Sequence, residues 1–252
     1  MSSSKPDELF YCEKNTINLE MKSASLIGQE AIHCSKVLRH KEGDEIHFTD
    51  ADSNLYIGII SRIKKGEVDI QIIDSKLVKD ENEKNYPVIC IGVLKNKERM
   101  EWLIEKATEI GVSAMYFIQL SRSERSKINL ERCKTIALSA MKQSQRFQIP
   151  EILHLESLEK GIDSFQSLSF RHFIAHEKID SNESFQQLLK KNLNGKRPVY
   201  WIGPEGGFTE DEVHIIKEKL FAIPISLGKH RLRAETAALF VLANTAMQKC
   251  HL

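Results

Sequence analysis

The chain has 252 residues, 41% hydrophobic and 28% charged, which excludes a disordered segment and gives enough length to bury one large core or two ordinary ones. Its formal net charge of +1 points away from recognition by bulk charge alone and hides an uneven distribution. Residues 1–80 carry 11 Lys/Arg against 14 Asp/Glu, whereas 121–149 carry 7 against 2, a footprint that fits either a polyanion or a solvated helix face.

The opening residues, MSSSKPDELF, are polar and lack the apolar centre of a signal peptide. The longest apolar run, Ala237 to Ala243, is far too short for a bilayer. A cytoplasmic protein is expected. Five scattered cysteines with no CxxC spacing predict reduced thiols and no zinc site. His172 and His176 lie on a strand-like run, too far apart to share a metal. No metal is expected.

In chain order, GQEAIHCSKVLR (28–39) reads as a short helix. Three strand-like runs follow, EIHFTD, LYIGIISRI and VDIQIID, separated by tight turns that suggest a small barrel. The polar stretch 75–86 places a linker at 76–86 between a first domain, 1–75, and a second, 87–252. From Pro87 strands and helices alternate. PVICIGVL is a nearly all-apolar strand, and ERMEWLIEKATEIG is an amphipathic helix stopped by Gly111. AMYFIQL is the next strand, and LERCKTIALSAMKQSQRF is a helix carrying basic positions. RHFIAHE, PVYWIG and AIPISLG are strands, and AETAALFVLANTAMQ is the closing helix. This is an α/β pattern with a largely parallel sheet and a ligand near the C-terminal ends of its strands.

Two glycine corners follow neighbouring strands. In WIGPEGGFTEDEV (201–213), Thr209 and Glu212 form a capping box, with Phe208 and Val213 as a hydrophobic staple, so a helix starts at Glu210. Three acids, Glu210, Asp211 and Glu212, fill its first turn, where they are stabilised by the helix dipole and repel a phosphate. GxGxxG, Walker A and GxSxG are absent. Alone, GPEGG reads first as a tight structural turn. The second corner, LGKHRLRAETAALF (227–240), adds Lys229, His230, Arg231 and Arg233 before the last helix. Together the corners predict a backbone-lined pocket for an adenine-bearing ligand without phosphates, with arginines able to grip a carboxylate or RNA phosphate.

These two corners, in this order, resemble the signature loops of the ribosomal RNA small subunit methyltransferase E family, of the SPOUT superfamily. HCSKVLRHKEGDEIHFTD is similar to its N-terminal PUA-like RNA-binding barrel, and LKNKERMEWLIEKATEIGV to the opening of its catalytic domain. SRSERSK and SAMKQSQRFQIPEI are similar to its central basic motifs. The resemblance implies methylation of a uridine N3 in 16S rRNA of the small ribosomal subunit by S-adenosylmethionine. It also implies a homodimer with a trefoil knot around the cofactor. Carried over by position, the cofactor loops are Ile202, Gly203, Pro204, Glu205, Gly206 and Gly207, then Leu227, Gly228, Arg231, Leu232, Arg233, Glu235, Thr236 and Ala237, with His176 and Glu177 ending the preceding strand. His230 stands where the family has arginine, and Arg231 where it has an aliphatic residue; the role of the displaced guanidinium stays open.

Arg233 is the expected catalytic residue, stabilising the N3 anion as it forms; its alternative is a helix-end salt bridge with Glu235. Glu205 is a second candidate, as base or as orienter of the glycine loop. Lys36, Arg39, Arg122, Arg125, Lys127, Lys142 and Arg146 are expected to contact RNA phosphates. Two further readings stand beside this one: a related enzyme acting on a ribose 2′-hydroxyl, and a non-catalytic RNA-binding assembly factor.

Overall fold

The computed structural model describes residues 8–78, 86–124, 127–176 and 183–249. The chain divides into two units, residues 1–80 with 138–149, and residues 81–137 with 150–252.

The first unit contains strands β1 (Phe10–Tyr11), β2 (Ile17–Asn18), β3 (Ser23–Ile27), β4 (Glu45–Thr49), β5 (Asn54–Lys64) and β6 (Glu67–Leu77). They form one sheet in the order β1-β4-β5-β6-β3-β2, antiparallel except for the β1–β4 pair. Helix α1 (Gly28–Ile32) passes into a wider turn over His33–Val37. Alternate residues bury one face: Ile46 and Phe48, Tyr56 and Ile60, then Val68, Ile70 and Ile72 join Leu26, Ala31 and Cys34 in one core. Register shifts at Ile57/Gly58 and Ile60/Arg62 bend the long hairpin, as bulges do.

The three expected strands are all present, whereas β1, β2 and β3 went unread. The first two are two residues long and carry no periodicity. The expected linker is partly strand, since β6 runs through Leu77; residues 79–85 lie outside the described residues. Residues 138–149, expected in the second domain, group with the first unit. There the Lys142 ammonium pairs with Glu30, and the Ser53 N–H donates to the Phe147 carbonyl at 2.8 Å.

The second unit alternates β7 (Val88–Gly92), α2 (Lys97–Ile110), β8 (Ala114–Ile118), α3 (Leu130–Gln143), β9 (Glu151–Leu155), α4 (Leu158–Asp163) and β10 (Phe170–Ala175). It continues with α5 (Phe185–Asn192), β11 (Arg197–Ile202), α6 (Glu210–Leu220), β12 (Ile223–Ile225) and α7 (Ala234–Lys249). The sheet is parallel throughout, in the order β12-β10-β11-β7-β8-β9. Successive residues of each central strand enter opposite cores. Ile89 and Ile91 pack with residues of α2, α3, α5 and α7, while Val88 and Cys90 pack with α4 and α6. A sheet covered on both faces explains the uninterrupted apolar runs.

Local chemistry sets the helix ends. The Asn96 side chain accepts the Arg99 N–H to begin α2, and Gly111 ends it at φ 108°, a conformation that glycine adopts without a Cβ penalty. Cys12, Cys34, Cys90 and Cys133 are buried and carry no disulfide, and burial raises each thiol above its ordinary value.

Candidate functional site

Three loops meet at the C-terminal ends of adjacent strands: Ala175–His176 after β10, 203–209 after β11 and 226–233 after β12. Between them lies a cleft of about 690 Å³, within the range of pockets that bury a nucleoside-sized ligand.

The loop after β11 is built on close backbone approach. Gly207 N–H donates to the Pro204 carbonyl at 2.8 Å. A Cβ on Gly203 would lie 2.8 Å from the backbone of Gly207, so only glycine lets this corner close. Two side chains brace it from outside. Arg122 Nη1 donates to the carbonyls of Gly206 at 2.9 Å and Phe208 at 3.0 Å. The Glu205 carboxylate accepts the Lys95 N–H at 3.1 and 3.3 Å, tying the corner to the end of β7.

The capping box appears as expected: Glu212 Oε2 accepts the Thr209 N–H at 2.8 Å, and Thr209 Oγ1 accepts the Glu212 N–H at 3.2 Å. Glu212 Oε1 also accepts the Ser121 N–H at 2.8 Å. The N-terminus of α6 is thus capped by the protein's own carboxylate, and of the three acids in its first turn Glu210 lines the cleft.

After β12, Gly228 takes φ 119° and exposes Lys229, His230, Arg231 and Arg233 along the rim. Arg231 Nη2 donates to the Glu205 carbonyl at 3.4 Å, linking the two glycine loops. The cleft gathers His176, Ile202, Gly203, Pro204, Glu205, Gly206, Gly207, Leu227, Gly228, Arg231, Leu232, Arg233 and Ala237 from the sequence reading. Glu177 lies outside the described residues. Thr236 is exposed and off the lining. Glu235 turns inward, only 4% exposed, and its partner is Arg99, with Nε 3.6 Å from Oε1. The alternative role read for Arg233, a bridge to Glu235, gives way to this pair. Arg99 was missed because it lies far upstream of Glu235, in the ordinary amphipathic helix α2.

The basic positions read for RNA do not form one equivalent set. Arg122 is committed to the glycine loop and Lys142 to Glu30. Lys127 and Arg146 each hold an interaction within the protein. Lys36 and Arg39 are exposed on the first unit, and Arg125 lies outside the described residues. Charge counting cannot separate a surface cation from one that braces a carbonyl.

His172 and His176 part company. Trp201 Nε1 donates to His172 Nδ1 at 3.2 Å, so the other nitrogen, Nε2, carries the proton that faces the Phe165 carbonyl at 3.2 Å. Burial holds this imidazole neutral and lowers its pKa to about 4. It is a core residue, while His176 reaches the cleft.

Residues 82–246 match the family described as RNA methyltransferase domain, and 26–73 match RNA methyltransferase PUA domain. The ribosomal RNA small subunit methyltransferase E of Buchnera aphidicola is 30% identical over 243 residues, 92% of this chain and 90% of that protein. The crystal structure of a probable rRNA-methyltransferase from Porphyromonas gingivalis superposes with a TM-score of 0.82 at 30% identity, covering 97% of this chain and all of that one. The fold is shared too with a ribosomal RNA small subunit methyltransferase E from Neisseria gonorrhoeae solved with S-adenosyl methionine, at TM-score 0.78 and 23% identity over 96% and 97% of the two chains.

Proposed function

The chain belongs to the ribosomal RNA small subunit methyltransferase E family, and from that premise we propose that it methylates N3 of a specific uridine in 16S rRNA with S-adenosylmethionine as donor. The observation that carries the reading is the cleft between the two glycine loops, with Glu210 of α6 in its lining and Lys229, His230, Arg231 and Arg233 on its rim. When bound, the cofactor supplies an electrophilic methyl group on a sulfonium.

The chain's own residues do the rest. Ile202 to Gly207 and Leu227 to Ala237 offer main-chain N–H and C=O groups to the adenosine, with His176 beside them. The closed corner at Gly203 excludes water from one wall. Arg233, exposed on the rim, favours the uridine N3 anion by its charge as the proton leaves. Glu205 spends its carboxylate on the Lys95 N–H, which supports an orienting role over that of a base.

Residues 1–75 serve in this reading as the RNA-binding PUA-like barrel and 87–252 as the methyltransferase domain, joined through 76–86. Lys36, Arg39, Lys127 and Arg146, with Arg125, engage backbone phosphates. The homodimer, the knot around the cofactor and the cytoplasmic location belong to the same reading.

The test is methyl transfer to small ribosomal subunits from a strain lacking the modification, with nucleosides identified by mass spectrometry. 3-Methyluridine is the expected product; a methylated ribose would move the target while keeping the fold. Arg233→Ala should lower turnover by about a hundredfold with cofactor affinity nearly unchanged. Wild-type turnover in that variant would remove Arg233 from the chemistry.

A further inference from the structure

Arg99 belongs to neither cofactor loop nor to the basic segment at 121–149. It sits in the first turn of α2, its backbone N–H held by Asn96 Oδ1 at 2.8 Å, and its side chain lines the cleft. A cation there opposes the positive end of the helix dipole and adds to a rim already carrying Lys229, Arg231 and Arg233. Something else must favour it.

On the protein side the counter-charge is Glu235, 4% exposed in the first turn of α7. Its Oε1 is 3.6 Å from Arg99 Nε, a charge contact without hydrogen-bond geometry. Its Oε2 is buried and meets no donor. A buried carboxylate so poorly satisfied is expensive on its own, and it holds the guanidinium by one edge. Among the described residues no acceptor faces the other edge, the two Nη groups, of a side chain still 36% exposed. Of the other guanidiniums of the cleft, Arg122 and Arg231 instead donate to loop carbonyls, and Arg233 stands exposed on the rim. A guanidinium drawn to a carboxylate at Nε and open at Nη presents the planar fork that matches an oxyanion.

We propose that Arg99 is the oxyanion-binding residue of the cleft, and that Glu235 is the residue that positions it. Ligand binding draws the guanidinium into a fixed orientation between Glu235 and the bound oxyanion. Within the methyltransferase reading, on which the identity of the anion rests, two sources share this chemistry: the carboxylate of the cofactor's methionyl end and a phosphodiester of the RNA.

Calorimetry with S-adenosylmethionine and with 5′-methylthioadenosine, which lacks the carboxylate, separates the sources when combined with RNA binding across a salt series. The variant is Arg99→Met, which keeps an unbranched apolar stem and removes the charge and the fork. If the carboxylate is the target, affinity for S-adenosylmethionine falls about tenfold or more and that for 5′-methylthioadenosine holds. If the phosphate is the target, cofactor affinity holds, RNA affinity falls and the salt slope shrinks by about one. Glu235→Gln should weaken the same arm by a smaller factor, and Arg99→Lys should restore charge without the fork and recover only part of the loss. Unchanged binding in both arms overturns the proposal. So does equal weakening of both small ligands with a lowered melting temperature, which marks a purely structural pair. Failure of the wild-type protein to bind S-adenosylmethionine would instead refute the methyltransferase reading.

Discussion

At Glu205 the demands of chemistry and of architecture compete for one carboxylate. Its two oxygens share the Lys95 N–H, and its backbone carbonyl receives Arg231, so it joins three segments of the cleft. Glu205→Gln keeps an acceptor for Lys95 and should retain turnover within about threefold, since one neutral hydrogen bond replaces a charge-assisted one. Arg122→Ala removes two donors to the loop carbonyls and should weaken cofactor binding by about tenfold. Steady-state kinetics and calorimetry on the two variants check both; lost turnover with intact cofactor affinity in Glu205→Gln would mark it as the base. The residue types of the glycine corner were legible in the sequence, whereas the brace from Arg122 was not, because it arrives from more than eighty residues away.

His172 carries the pH dependence at this scale. Its folded pKa is lowered from 6.5 to about 4 by burial, so the unfolded chain binds the proton first. The contribution is complete above pH 6.5 and is lost as pH falls from there toward 4, a total of about 3 kcal/mol. Chemical denaturation at pH 7 and pH 5 should show this loss in the wild type and a flatter profile in His172→Gln. An equal loss in both would assign the acid sensitivity to other groups.

Among the elements, α6 shows how a helix start can be read before it is seen. Thr209 and Glu212 announce the capping box, and Phe208 and Val213 meet in the same apolar cluster, as the staple requires. Glu212 also does something the motif does not contain: it satisfies the Ser121 N–H, joining the segment after β8 to the helix. Thr209→Ala should therefore cost about 1 kcal/mol, and Glu212→Ala more, about 2–3 kcal/mol, because two N–H groups lose a charged acceptor. Thermal or denaturant melts compare them; equal costs would mean the Ser121 contact contributes nothing. Long apolar or amphipathic elements such as β7, α2 and β11 were legible because burial on one or both faces writes itself into the period. β9, α4 and α5 were not read. β9 is an edge strand with an exposed Glu151, and the two helices span only six and eight residues, too short for a repeating pattern.

For the molecule as a whole, the division into units departs from the one drawn along the sequence. Residues 138–149 group with 1–80 and bring Lys142 to Glu30 and the Phe147 carbonyl to Ser53. A fragment ending at residue 80 lacks those partners and should melt below the first-unit transition of the full chain; identical melting by circular dichroism would show that 138–149 add nothing. The excess of cations in 121–149 also changes meaning at this scale, since Arg122 and Lys142 are drawn into internal contacts.

The sequence by itself determined the two-part architecture, the parallel α/β pattern, the two glycine corners and the capping box that starts α6. Each of these follows from neighbours in the chain, through periodicity, capping and backbone permissiveness. Only the tertiary structure decided that Arg99 faces the cleft, that Glu235 is buried behind it instead of lining it, and that Arg122 braces the loop. Those outcomes depend on which strand ends lie side by side, and a charged side chain carries no local mark of the distant carbonyl or carboxylate that will satisfy it.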